Sequence, residues 1–113
     1  MSNFRYRLGA AAEILATGEG NVKERLELAV TDQLMFANVP NDPDIPQCFR
    51  DKHTAIINEL SKRTWAPGLE GDRIRATIHP MLFKAAGSIA GRIWNLYNEF
   101  EEYARSGFIP ENT

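Results

Sequence analysis

The residues from Leu82 to Arg105 limit the fold of this chain more than any other stretch. Apolar side chains recur at Leu82, Ala86, Ile89, Ile93, Leu96, Phe100 and Tyr103. Steps that alternate between four and three put them on one face of an α-helix. No proline interrupts the run. At a rise of about 1.5 Å per residue the helix is about 35 Å long, the span of a small domain. A stripe of that length has to be buried, so the rest of the chain is expected to pack around this helix as a spine.

Its end is clearly marked. Ser106 reads as the C-cap, Gly107 as a left-handed residue, and Phe108 as the apolar residue that folds back on Tyr103. Pro110 then blocks continuation. Glu101 and Arg105 stand at i,i+4 in the favourable order, and Glu99, Glu101 and Glu102 read as a solvated face.

Two glycines, Gly87 and Gly91, lie inside the spine on a shared face, with Ser88 and Ala90 beside them. Each costs about 1 kcal/mol relative to alanine in a helix interior. Close approach of another helix backbone is the plainer explanation, and a shallow groove for a ligand or partner the sharper one. Trp94 shares that face rather than the centre of the core stripe. Filling the gap left by the glycines under a neighbouring helix would account for it. An interface would account for it as well, because tryptophan is enriched at interface hot spots.

Four further segments read as helices or their connectors. Ser2 or Asn3 caps a first helix whose stripe is Phe4, Leu8, Ala11, Ala12 and Leu15, with Gly18 just past its end. Arg5 and Arg7 are expected to be solvated there. Asn21 and Glu24 resemble a capping box opening a second helix through Leu26, Ala29, Val30 and Leu34 to Phe36 and Ala37. Gln33 is expected to satisfy a buried polar group. The turn-rich segment from Asn38 to Ile45 leads to Asp44 as N-cap and Pro46 at the second position of a third helix, which runs to Arg63. Phe49, His53, Ile56, Ile57 and Leu60 mark its buried side, and Glu59 and Arg63 form an i,i+4 pair. Asp72 then caps a short helix from Arg73 to about Ile78, with a strand at Arg75–His79 as the competing assignment. The expected architecture is all-α: one domain over residues 1–113, four main helices and one short one.

Composition limits the functional classes. Net charge is −2 and charged residues make up 25% of the chain, so neither extreme that marks a nucleic-acid or membrane-surface protein is present. No apolar stretch approaches the ~20 residues of a membrane span. Cys48 is the lone cysteine, which excludes an internal disulfide and a multi-cysteine zinc site. It reads as a small, partly buried, unreactive side chain, and a reducing cytoplasm fits best. Glu13 interrupts the alanine-rich N-terminal run, which favours a helix over a signal peptide.

No nucleophile elbow, P-loop, dinucleotide fingerprint or zinc-protease motif occurs. No cofactor or metal is implied. Asp32, His53 and His79 are the candidates for an active site assembled from distant positions; His53 reads first as a hydrogen-bonded core residue. Basic residues concentrate at Lys62, Arg63, Arg73, Arg75, His79 and Lys84, with Trp65 and Phe83 alongside. Such interleaving can bind nucleic acid.

Three functions follow for test. The leading one is a small bacterial cytoplasmic interaction or accessory module. It would contact a protein partner, or itself as a homodimer, through Gly87, Gly91 and Trp94. The second is a nucleic-acid-binding module using Lys62, Arg63, Arg73, Arg75 and Lys84. The third is a ligand-binding domain or enzyme with a pocket near His53 or His79.

Overall fold

A computed structural model describes residues 2–37, 45–62 and 70–110. The elements in chain order are α1 (Ser2–Thr17), α2 (Val22–Asp32), a 3₁₀ turn (Leu34–Phe36), α3 (Gln47–Leu60), α4 (Glu70–Ile78) and α5 (Phe83–Ser106). Among the described residues there is no strand, so the segment Arg75–His79 is helical up to Ile78. The all-α architecture around a long final helix is the one the periodicity predicts.

Helices α1 and α3 both run antiparallel to α5, one on each side of it. On the α1 side, Arg5 donates two hydrogen bonds to Glu101, at 2.8 and 3.0 Å, and Gly9 lies against Tyr97. On the α3 side, Lys52 meets Glu99 and Arg92 meets Glu59, each at 2.8 Å. Between them the rings of Phe4, Phe49 and Phe100 pack edge to face, with centroids 4.8 and 5.1 Å apart. Edge-to-face packing aligns the positive rim of one ring with the negative face of the next. Ala86, Ile89, Ile93, Leu96 and Phe100 are all buried, so the stripe of α5 faces this core as its spacing requires; Leu82, read as the first member of that stripe, is instead the N-cap and is 76% exposed.

Reciprocal caps join the first two helices. Asn21 makes the full capping box: its side chain accepts from the Lys23 and Glu24 amides, and Glu24 accepts from the Asn21 amide. Arg25 on α2 donates to the Leu15 carbonyl in the last turn of α1, at 3.1 Å. Arg7 on α1 donates to the Asp32 carbonyl at the end of α2 and, at 3.0 Å, to Gln33 Oε1. Each guanidinium thus sits at the partially negative end of the other helix, where carbonyls lack intrahelical donors. The expectation of a solvated arginine is therefore corrected at position 7, whereas Arg5 is exposed as expected and pairs with Glu101 at the surface, and Gln33 has the polar partner expected of it. On the outer side, α4 runs antiparallel to α2, with Arg75 on Glu27 at 2.7 Å.

Several boundaries move. Asn3 lies within α1, not at its cap. Helix α2 ends at Asp32, and the apolar pattern to Phe36 continues as a 3₁₀ turn. Pro46 is itself the N-cap of α3: its φ of −56° is helical but its ψ of 146° is extended, so the helix begins at Gln47. Helix α3 stops at Leu60, where Ser61 leaves helical geometry, and α4 starts two residues before Asp72. Gly107 takes the left-handed conformation, φ 78°, as read from sequence. Phe108, however, is 61% exposed and is not packed into the core beside Tyr103. The segment Asn38–Asp44, Arg63 and Trp65 lie outside the described residues.

Candidate functional site

The outward face of α5 carries the interface candidates. Going outward from the core stripe, the helix turns Gly87, Ser88, Gly91, Trp94, Asn95 and Asn98 to solvent, and all six are exposed. A methyl group added at Gly87 or Gly91 would meet nothing within 4 Å. Among the described residues, then, no helix backbone approaches these glycines. The close-approach explanation is corrected, and so is the idea that Trp94 fills a gap beneath a neighbour, because Trp94 is 42% exposed.

The face is also uncharged over this stretch, for a structural reason. The charged residues of α5 that flank it are drawn sideways into ion pairs with other helices: Arg92 to Glu59, Glu99 to Lys52, and Glu101 to Arg5. What is left between them is small, amide-bearing or aromatic. The Arg5 guanidinium also holds the Glu101 carboxyl below its ordinary value, chiefly through their hydrogen bond. The partner of Glu101 is thus Arg5 and not Arg105 as its i,i+4 spacing suggests; Arg105 pairs instead with Glu102.

On the α1 shoulder the face continues into a shallow trough. Tyr97 contacts Trp94, with ring centroids 5.7 Å apart, and lies over Gly9. Tyr6, Gly9, Ala10 and Glu13 form the opposite wall, and Tyr6 is 69% exposed. On the α3 shoulder a depression of about 280 Å³ is floored by Ile56 and Leu96 and bounded by the two ion pairs. Sequence spacing placed the glycines and Trp94 on one face; the aromatic trough and the paired flanks depend on which helices become neighbours.

The other candidates do not converge. His53 is buried; its Nε2–H donates to the Leu34 carbonyl at 3.1 Å, and its ring packs edge-on to Phe4. Desolvation lowers its pKa, against the smaller opposing effect of that hydrogen bond. His79 lies at the exposed end of α4, its ring 3.6 Å from Glu27, beside a depression of about 170 Å³ that also holds Lys23 and Phe83. Asp32 is exposed at the end of α2, its carbonyl taken by Arg7. Ligand pockets are usually larger, of the order of 300 Å³ or more, and more enclosed. Among the described residues, no three His, Cys, Asp or Glu side chains are grouped to hold a metal ion.

The basic residues are likewise dispersed. Arg75 faces α2 and is neutralised by Glu27. Lys62 borders a different depression, between α3 and α5, that includes Thr77 and Ser88. Arg73 is half-buried and Lys84 is exposed at the start of α5. Cys48 is buried and unpaired by a disulfide.

No helix of the described residues is long and apolar enough to cross a membrane. No family model, curated protein or solved structure matches the chain.

Proposed function

We propose that this protein is a protein–protein interaction module whose contact surface is the outward face of α5. One observation carries the proposal: two glycines in mid-helix and a tryptophan lie together on a solvent-facing, uncharged surface with nothing described over them. In an isolated helix the glycines cost stability and give nothing in return. In a contact they let another surface approach the backbone of α5, with Trp94 as the anchor. A lone buried cysteine agrees with work in a reducing cytoplasm.

A photo-activatable residue placed at Ser88 or Asn95 tests this in the producing cell. Adducts are expected from both positions and not from Thr54, which is exposed on α3. Absence of adducts at Ser88 and Asn95, or equal labelling at Thr54, would remove the α5 face as a contact surface.

A further inference from the structure

We infer that His53 is an acid-sensitive latch that ties the 3₁₀ turn Leu34–Phe36 to α3, so that mild acid releases the turn while the helices stay folded. The turn is short and carries no side-chain cap. Two backbone bonds hold it: Phe36 N–H donates to the Gln33 carbonyl at 3.1 Å, and Ala37 N–H to the Leu34 carbonyl at 3.2 Å. Side chains from two other helices anchor it. Arg7 of α1 donates to Gln33, where the turn begins, and His53 of α3 donates to the Leu34 carbonyl at 3.1 Å. With the turn in place, Leu34 and Ala37 are buried.

The latch is built for a neutral ring. Donation from Nε2–H to a carbonyl needs only one proton on the imidazole. A second proton would put a full charge on a side chain that is 7% exposed and lies edge-on to Phe4, itself packed on Phe100. The charged side chains on the surrounding helices are engaged elsewhere. On α1, Arg5 pairs with Glu101, and Arg7 serves Asp32 and Gln33. On α3, Arg50 donates to the Ile45 carbonyl, Asp51 accepts from Gln47, and Lys52 pairs with Glu99 of α5. Asp32, at the end of α2, is exposed. The other titratable groups of this region are Cys48, buried on α3, and Tyr103, packed on Phe49. The two influences on the titration of His53 are desolvation, which is the larger, and the Leu34 carbonyl. Lifting the turn uncovers the ring on its Leu34 side, and the ring then takes up a proton at the ordinary histidine value. The closed turn is therefore fully favoured above about pH 6.5, and below it loses up to about tenfold in relative population per pH unit. A local opening of this kind needs less free energy than unfolding the whole domain.

Native-state hydrogen exchange by NMR reads this on the full chain, at low urea and between pH 5 and 7.5. After correction for intrinsic exchange, the Phe36 and Ala37 amides are expected to exchange faster than those of Ile93 and Leu96 in α5, and with almost no dependence on urea. Their corrected rate should rise as the pH falls below about 6.5, by up to about tenfold per unit. His53→Gln should remove that pH dependence. Exchange at Phe36 and Ala37 that rises with urea as steeply as at Ile93 would overturn the latch, because the turn would then open only with the whole domain. Exchange there that is independent of pH in the parent chain would overturn it as well. If His53→Gln does not fold, the parent decides alone. The ring nitrogens of His53 and the amides of Phe36 and Ala37 should then shift with one common midpoint, and separate midpoints would overturn the proposal.

Discussion

At the residue scale, His53 is a buried side chain whose charge state couples to folding. It is buried against Phe4 and donates to Leu34, and burial pushes its pKa below the ordinary 6.5. The unfolded chain therefore takes up a proton at higher pH than the native protein does. Stability from this residue is fully present above about pH 6.5 and falls as the pH drops below it. The limiting slope is about 1.4 kcal/mol per pH unit for one proton. Urea denaturation between pH 5 and 7.5 should show stability falling toward acid pH in the parent, by no more than this slope, and a flatter profile in His53→Gln. The Arg5–Glu101 pair acts in a separate window. Because the Glu101 carboxyl titrates below its ordinary 4.5, its contribution is present above that value and is lost only as the pH falls further.

The two capping arginines show what could not be read from the residue alone. Arg7 and Arg25 look like ordinary surface cations in the sequence. Only the antiparallel docking of α1 and α2 places each at the other's C-terminal carbonyls. Replacing Arg7 with methionine keeps much of the apolar stem and removes the charge-assisted hydrogen bonds. It should cost about 1–2 kcal/mol in urea denaturation.

At the element scale, caps and stripes were legible because they are local. The Asn21–Glu24 box forms as its spacing implies, satisfying three amide groups around one helix start. Asn21→Ala should therefore destabilise the protein by about 1 kcal/mol, read from the urea midpoint. The left-handed Gly107 was legible for the same reason, since continuing α5 past it meets Pro110. What failed were features that depend on neighbours. The sequence puts Gly87, Gly91 and Trp94 on one face of α5, but periodicity cannot say whether another helix covers that face. The end of α2 shows the same limit. Its apolar spacing runs on unchanged to Phe36, while the backbone tightens into a 3₁₀ turn after Asp32, where Arg7 arrives from α1.

At the scale of the whole molecule, α5 is held on both sides and left bare along its outer edge. Phe100 lies at the centre of the aromatic cluster that joins α1, α3 and α5, and it is fully buried. Phe100→Ala should cost about 3–5 kcal/mol, enough to threaten a domain of ordinary stability. Phe108→Ala, although it removes the same side chain, should change stability by no more than about 0.5 kcal/mol, because that ring is mostly in solvent. Urea denaturation of the two variants separates the core from the surface. The aromatic core was legible as a set of buried stripes. Which charged residues pair across it was not, since Arg5 and Glu101 are ninety-six positions apart in the chain.

On the proposed reading, Gly87 and Gly91 serve an association and not the fold of one chain. The most direct measurement is a double variant, Gly87→Ala with Gly91→Ala, followed by thermal unfolding of the purified chain and by photo-crosslinking from Ser88 in the producing cell. Nothing lies within 4 Å of either added methyl group, and alanine is the better helix former. The isolated chain should therefore gain about 1–2 kcal/mol in stability while its association weakens. Lower stability of the purified chain, or an undiminished yield of adducts from Ser88, would contradict a contact role for the glycines.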